Sequence, residues 1–161
     1  MKDVVAAAKT VQKIYEESSL HIEYCEGFGV SKAEILATEE DNACTAYTRY
    51  VLDIGHTHDF LALTVAMAPC LFGYSEIGEW LLKDPNTKHK DNPYYKWIVN
   101  YGHSDSYSEA VKIGRELLEQ KVRAAGPDRL EELVDIFFHA TKLEKDFWDM
   151  GLNAGAPRAS L

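Results

Sequence analysis

The sequence predicts an all-α protein. Helix start and stop signals punctuate the chain, apolar residues recur at helical spacing between them, and no segment alternates apolar and polar residues as a half-buried strand would. Asp3 to Tyr24 sets Val4, Val11, Ile14, Tyr15 and Ile22 at roughly helical spacing, and Gly27 and Gly29 stop it. Ser31 with Glu34 spells a capping box, which satisfies free backbone amides and opens a short helix, SKAEILAT. Asp41 or Asn42 caps the next helix, from about Ala43 to Ile54, and Gly55 ends it. The following run begins near Asp59 and continues to about Leu82. It is apolar nearly all round from Phe60 to Phe72, which predicts a central helix surrounded by others. Pro69 lies inside it, leaves the carbonyl near Val65 without its donor, and predicts a bend immediately before Cys70. Beyond the polar loop DPNTKHKDN a short helix spans about Pro93 to Tyr101, ended by Gly102. Ser104, Asp105 or Ser106 caps a helix to about Ala125, and Gly126 with Pro127 marks a stop followed by a new start. The last helix runs from about Pro127 to Met150. One helical domain of residues 1–150 is therefore expected, with residues 151–161 as a flexible tail.

A chain of 161 residues suits a single domain able to bury roughly 68 to 70% of its unfolded surface. The balance of 17 basic against 26 acidic residues, a net charge of −9, offers no basic face for phosphates, so no nucleic-acid partner is expected. The longest nearly uncharged run, Phe60 to Ser75, is short for a membrane span and is interrupted by Pro69. The amino terminus has no apolar stretch ending in a cleavage site, which predicts a cytoplasmic protein. Cys25, Cys44 and Cys70 are odd in number and unclustered, so free thiols are expected rather than a disulfide framework or a zinc site.

Three groups of residues draw attention on spacing. Cys70 and Tyr74 lie one helical turn apart and share a face, with Glu76 on a neighbouring one. Glu144 and Phe147 put a carboxylate and a ring on one face, with Trp148 close by. Tyr47, Tyr50 and Tyr101 supply further aromatics. Each has a plainer reading: Cys70 as a small buried hydrophobe, Glu144 as part of a solvated face, the tyrosines as core. No Glu-x-x-His repeat for a di-iron bundle, no glycine-rich phosphate loop and no Gly-x-Ser-x-Gly turn occurs, and His56, His58 and Asp59 read as loop residues rather than metal ligands.

The stretches TAYTRYVLD, LALTVAMAPCLFGYSEIGEWL, NPYYKWIVNYG and LEKDFWDMG, in that order between about Ser19 and Met150, resemble the TenA family, the aminopyrimidine aminohydrolases also called thiaminase II. TAYTRYVLD and LEKDFWDM are most similar to the TenA-like domain that fungi fuse to a hydroxymethylpyrimidine kinase, here without a kinase part. The resemblance implies a haem-oxygenase-like helical bundle, a homo-oligomer (tetramer or dimer), and hydrolysis of thiamin or its aminopyrimidine degradation products to 4-amino-5-hydroxymethyl-2-methylpyrimidine. It places the family's nucleophile at Cys70, its acid–base carboxylate at Glu144, and its aromatic substrate pocket at Tyr47, Tyr74, Tyr101 and Phe147. No metal or organic cofactor is implied. Family members carry about three further helices before the point where Met1 aligns, with an aspartate and an aromatic for the pyrimidine. Asp3 does not match that aspartate, so a chain truncated at its N-terminus relative to the family, with core surface exposed, is expected. A non-catalytic TenA-like pyrimidine-binding protein or a helical assembly protein is the alternative.

Overall fold

The computed structural model describes residues 2–154, all helix and connecting turns, without strands among them. The side chain of Asp3 and residues 155–161 of the expected tail lie outside the description; Gly151 and Leu152, also assigned to that tail, belong to the last helix. The described residues form two compact units, divided between Glu40 and Asp41.

In the first unit, α1 (Lys2–Glu26) is followed by α2 (Lys32–Ala37). The chain turns between them at Gly29, whose φ of +85° is open to glycine without strain. The capping box is present: the Ser31 amide donates to Glu34 Oε2 at 2.8 Å, and the Glu34 amide donates to Ser31 Oγ at 3.3 Å.

The second unit contains α3 (Asn42–Thr57), α4 (Phe60–Lys83), α5 (Tyr95–His103), α6 (Asp105–Val122) and α7 (Pro127–Leu152). α4 packs against each of the other four, as its nearly all-round apolar surface predicts. Ile54 of α3, Ala62, Val65 and Ala66 of α4, and Leu133 and Ile136 of α7 form the core. By length and composition alone α4 could cross a membrane, but its packing is that of a core helix. Asp59 caps α4, accepting from the Ala62 amide at 2.9 Å, and also takes Arg129 of α7 at 2.5 Å. A residue expected in a loop near a possible metal site thus ties two helices together. Gly126 and Pro127 stand at the N-cap and N1 of α7, as predicted.

Two helices run past the glycines expected to end them. α3 continues through Gly55 to Thr57, and α5 continues through Gly102 to His103. Gly102 serves a different purpose. A Cβ on Gly78 would stand 2.5 Å from the Gly102 nitrogen, and one on Gly102 would stand 2.5 Å from the Gly78 carbonyl carbon, so α4 and α5 cross in backbone contact. α4 carries Pro69 inside a single helix, as expected.

The crossing gives two predictions of opposite sign within one helix. Gly78→Ala forces backbones apart and should lower the unfolding free energy by about 2 kcal/mol or more, whereas Gly73→Ala adds a methyl into open space. Relieving a mid-helix glycine should raise stability by about 0.5 to 1 kcal/mol. Urea denaturation of the two variants checks both signs.

Candidate active site

Cys70 lies one residue beyond Pro69 on α4 with its side chain exposed, whereas Pro69 itself is buried. A free thiol in so apolar a helix would ordinarily be among the buried residues. Tyr74, a turn further on, is half-buried and donates its hydroxyl to Glu144 Oε1 of α7 at 2.8 Å. Glu144 is only 8% exposed, while Lys142, Lys145 and Asp146 around it face water. Its second oxygen, Oε2, is buried without a hydrogen-bond partner among the described residues. Leaving a buried acceptor unmatched costs about 1 to 3 kcal/mol, a cost that a donor on a bound molecule would remove.

Tyr47 of α3 faces the same carboxylate. Burial raises the hydroxyls of Tyr47 and Tyr74 far above the ordinary phenol range, and their hydrogen bonds to Glu144, the charge of that carboxylate, and then the nearby Cys70 push in the same direction. Both tyrosines are therefore neutral donors at any physiological pH. Cys70, Tyr47, Tyr74 and Glu144, drawn from three helices, occupy one electrostatic neighbourhood.

Tyr74 is also the hub of an aromatic cluster. Tyr101, 5% exposed on α5, meets it edge-on with ring centroids 5.2 Å apart. Trp97 and Trp148 stand 5.8 and 5.7 Å from Tyr74, and Trp97 is 4.8 Å from Tyr101. Tyr107 of α6 completes the cluster at 4.7 Å from Tyr101. Phe147 is half-buried one turn beyond Glu144, but its ring meets no other ring among the described residues; Trp148 has that place in the cluster. The sequence reading passed over Trp97 and Tyr107. Trp97 precedes Tyr101 by one helical turn and so shares its face, a signal that was available. Tyr107 becomes visible only when α6 is laid beside α4.

An open cleft of about 460 Å³ between the end of α4 and the loop 86–94, and an apolar groove of about 210 Å³ lined by residues such as Phe72, Leu118 and Phe137, both lie away from the Cys70–Glu144 cluster. Among the described residues no group of three or more histidine, cysteine or acidic side chains could hold a metal ion. The site's resources are a thiol, a carboxylate, phenol hydroxyls and ring faces. These are the elements of nucleophilic and acid–base chemistry on a flat, polar heterocycle.

The chain belongs to the TENA/THI-4/PQQC family, which residues 3–154 match. It is 42% identical, over 91% of its length and 26% of the relative's, to a putative hydroxymethylpyrimidine/phosphomethylpyrimidine kinase of Schizosaccharomyces pombe. It is 33% identical, over 85% of its length and 60% of the relative's, to the aminopyrimidine aminohydrolase of Halalkalibacterium halodurans. The crystal structure of a TenA family transcription regulator from a Silicibacter species superposes with a TM-score of 0.81 at 39% identity, covering 92% of this chain and 67% of the other. The fold is the helical, haem-oxygenase-like fold of TenA proteins. The chain thus spans about a quarter and three fifths of the length of these two curated relatives.

The two shielded phenols carry a pH prediction. Their folded pKa lies above the ordinary 10.0, so the stability they contribute is complete below pH 10.0 and declines as pH rises beyond it, because the unfolded chain releases protons that the folded chain withholds. Phenolate absorbance followed through alkali should show Tyr47 and Tyr74 ionising only as the fold is lost. Tyr47→Phe and Tyr74→Phe should each remove one late-titrating group.

Proposed function

We propose that this chain is an aminopyrimidine aminohydrolase of the thiaminase II type. Its products would be 4-amino-5-hydroxymethyl-2-methylpyrimidine and the amine or thiazole released from a thiamin degradation product or from thiamin itself. The observation that carries the reading is Glu144: a buried carboxylate with one oxygen anchored by Tyr74 and the other unmatched, in a tyrosine and tryptophan cluster beside the exposed thiol of Cys70. The relative named aminopyrimidine aminohydrolase supports the reaction class.

In this reading the Cys70 thiolate adds to a carbon of the electron-poor pyrimidine while Glu144 delivers a proton to the ring. The ring electrons then expel the substituent from the exocyclic methylene, either as the thiazole or as a neutral amine that was protonated on its nitrogen before it left. Water adds to that methylene and gives its proton to the Glu144 carboxylate, and collapse of the adduct returns the sulfur as thiolate and releases the proton first placed on the ring. Tyr47 and Tyr74, held neutral, donate hydrogen bonds, and Tyr101 with Phe147 supplies ring faces to the substrate. No redox step or metal is required by this balance. The protein would act in the cytoplasm as a homo-oligomer.

Hydroxymethylpyrimidine release from thiamin and from aminomethylpyrimidine is the deciding assay. Cys70→Ala should lower kcat by at least about 10³-fold, the scale at which a nucleophile is lost. Glu144→Gln keeps the shape and the Tyr74 hydrogen bond but removes the proton acceptor, and should cost about 10²-fold or more. Pyrimidine binding that persists in a wild-type chain with no turnover would identify a non-catalytic pyrimidine-binding protein instead.

A further inference from the structure

Resting on the reading of Cys70 as nucleophile, we propose that Tyr107 is a positioning residue: its hydroxyl clamps the turn of α4 that bears Cys70 and fixes the sulfur relative to Glu144.

That turn needs support. Proline at position 69 has no amide hydrogen, so the helix enters Cys70 with one fewer internal hydrogen bond than an uninterrupted helix has. Tyr107 reaches across from α6 and donates its hydroxyl to the Leu71 carbonyl at 3.0 Å, with the Cys70 carbonyl also close, at 3.4 Å. A carbonyl has two lone pairs, so it can accept this bond without surrendering its helical one. The contact therefore adds a tether at the residue that carries the thiol.

Tyr107 is itself held at both ends. Its backbone amide donates to Ser104 Oγ at 3.3 Å in the cap of α6, and its half-buried ring stands edge-on to Tyr101 with centroids 4.7 Å apart and planes at 83°. Tyr101 stands perpendicular to Tyr74 at 5.2 Å, and Tyr74 is bonded to Glu144. A continuous set of contacts thus runs from the backbone of the nucleophile, through three rings, to the carboxylate. The thiol and the carboxylate sit on different helices, so play of about 1 Å between those helices would misplace the sulfur. A misplacement on that scale costs a reaction up to about 10²-fold. The Tyr107 hydroxyl removes this play on the α4 side, while Tyr74 removes it on the α7 side.

The test is Tyr107→Phe, which keeps the ring and its contact with Tyr101 and deletes only the hydroxyl. Tyr50→Phe is the matched control, because the Tyr50 hydroxyl also donates to a helix carbonyl, that of Ile136 at 3.5 Å, among residues with no part in the cluster. Two readouts are taken on the full chain, beside the thermal midpoint of each variant. The first is kcat and KM for aminomethylpyrimidine hydrolysis, where Tyr107→Phe should lower kcat about tenfold with KM within about twofold of wild type. The second is the pH profile of Cys70 alkylation by iodoacetamide, located by mass spectrometry, which should shift in Tyr107→Phe and not in Tyr50→Phe. The alkylation profile does not depend on turnover, so a wild-type chain without hydrolase activity defeats the functional reading and still judges Tyr107. Unchanged kcat with an unchanged alkylation profile overturns the proposal. So does a thermal midpoint that falls further than in Tyr50→Phe while the alkylation profile stays at the wild-type one, since that outcome makes Tyr107 a structural residue only.

Discussion

The backbone contact between α4 and α5 at Gly78 and Gly102 is the constraint on which the site depends. Tyr74 sits one turn before Gly78, and Tyr101 immediately precedes Gly102. With the glycines in contact, the two rings must meet, and they do so edge-on at 5.2 Å. Trp97, one turn back on α5, is carried against the same side of Tyr74. Were either glycine any other residue, the helices would stand apart by at least the depth of a methyl group. Tyr74 would then lose the packing that orients its hydroxyl toward Glu144. Close approach at one crossing is thus converted into the direction of one hydrogen bond between α4 and α7.

That hydrogen bond belongs to a carboxylate treated unlike the other charged groups. Elsewhere in the second unit, charged groups are treated conservatively: Asp59 caps a helix and meets Arg129 at the surface, and Arg115 pairs with Glu76 in solvent. Glu144 alone among the acidic residues described is buried, and one of its oxygens has no donor. Surrounding a carboxylate with rings raises the energy of leaving it unmatched and strengthens any bond it then makes to a polar ligand. The neutral hydroxyls of Tyr47 and Tyr74 add donors without adding counter-charge, so the carboxylate is not neutralised by a cation in the fold.

Local grammar was sufficient for most helix starts. The Ser31–Glu34 capping box, the Asp59 cap and the Gly126–Pro127 junction all depend on residues within a few positions of one another, and the chain writes them openly. Helix ends proved harder, because a glycine means two different things. At Gly29 it permits a left-handed turn; at Gly102 it permits another helix to touch, and nothing within α5 distinguishes the two. The site was less legible than the fold. Tyr74 and Glu144 lie 70 residues apart, and spacing along the chain cannot say that one hydroxyl will find one carboxylate. Their grouping was anticipated through the family resemblance, while local rules assigned Cys70 to the interior and Glu144 to solvent. Both positions are the reverse of that, which is what a functional constraint on a helical surface does to ordinary burial preferences.

The reversal also sets the two groups in different surroundings. Cys70 of α4 is open to solvent, while Glu144 of α7, a helix packed against α4, is held inside by the Tyr74 hydroxyl and the rings around it. Aromatic rings of α5 and α7 pack against Tyr74 of α4, the residue that bonds the carboxylate. The helices that carry these groups, α3, α4, α5 and α7, all belong to the second unit, and α4 packs against each of the others. The central helix is therefore both the core of the unit and the frame of its site, and a change that loosens its packing would disturb thiol, hydroxyl and carboxylate together.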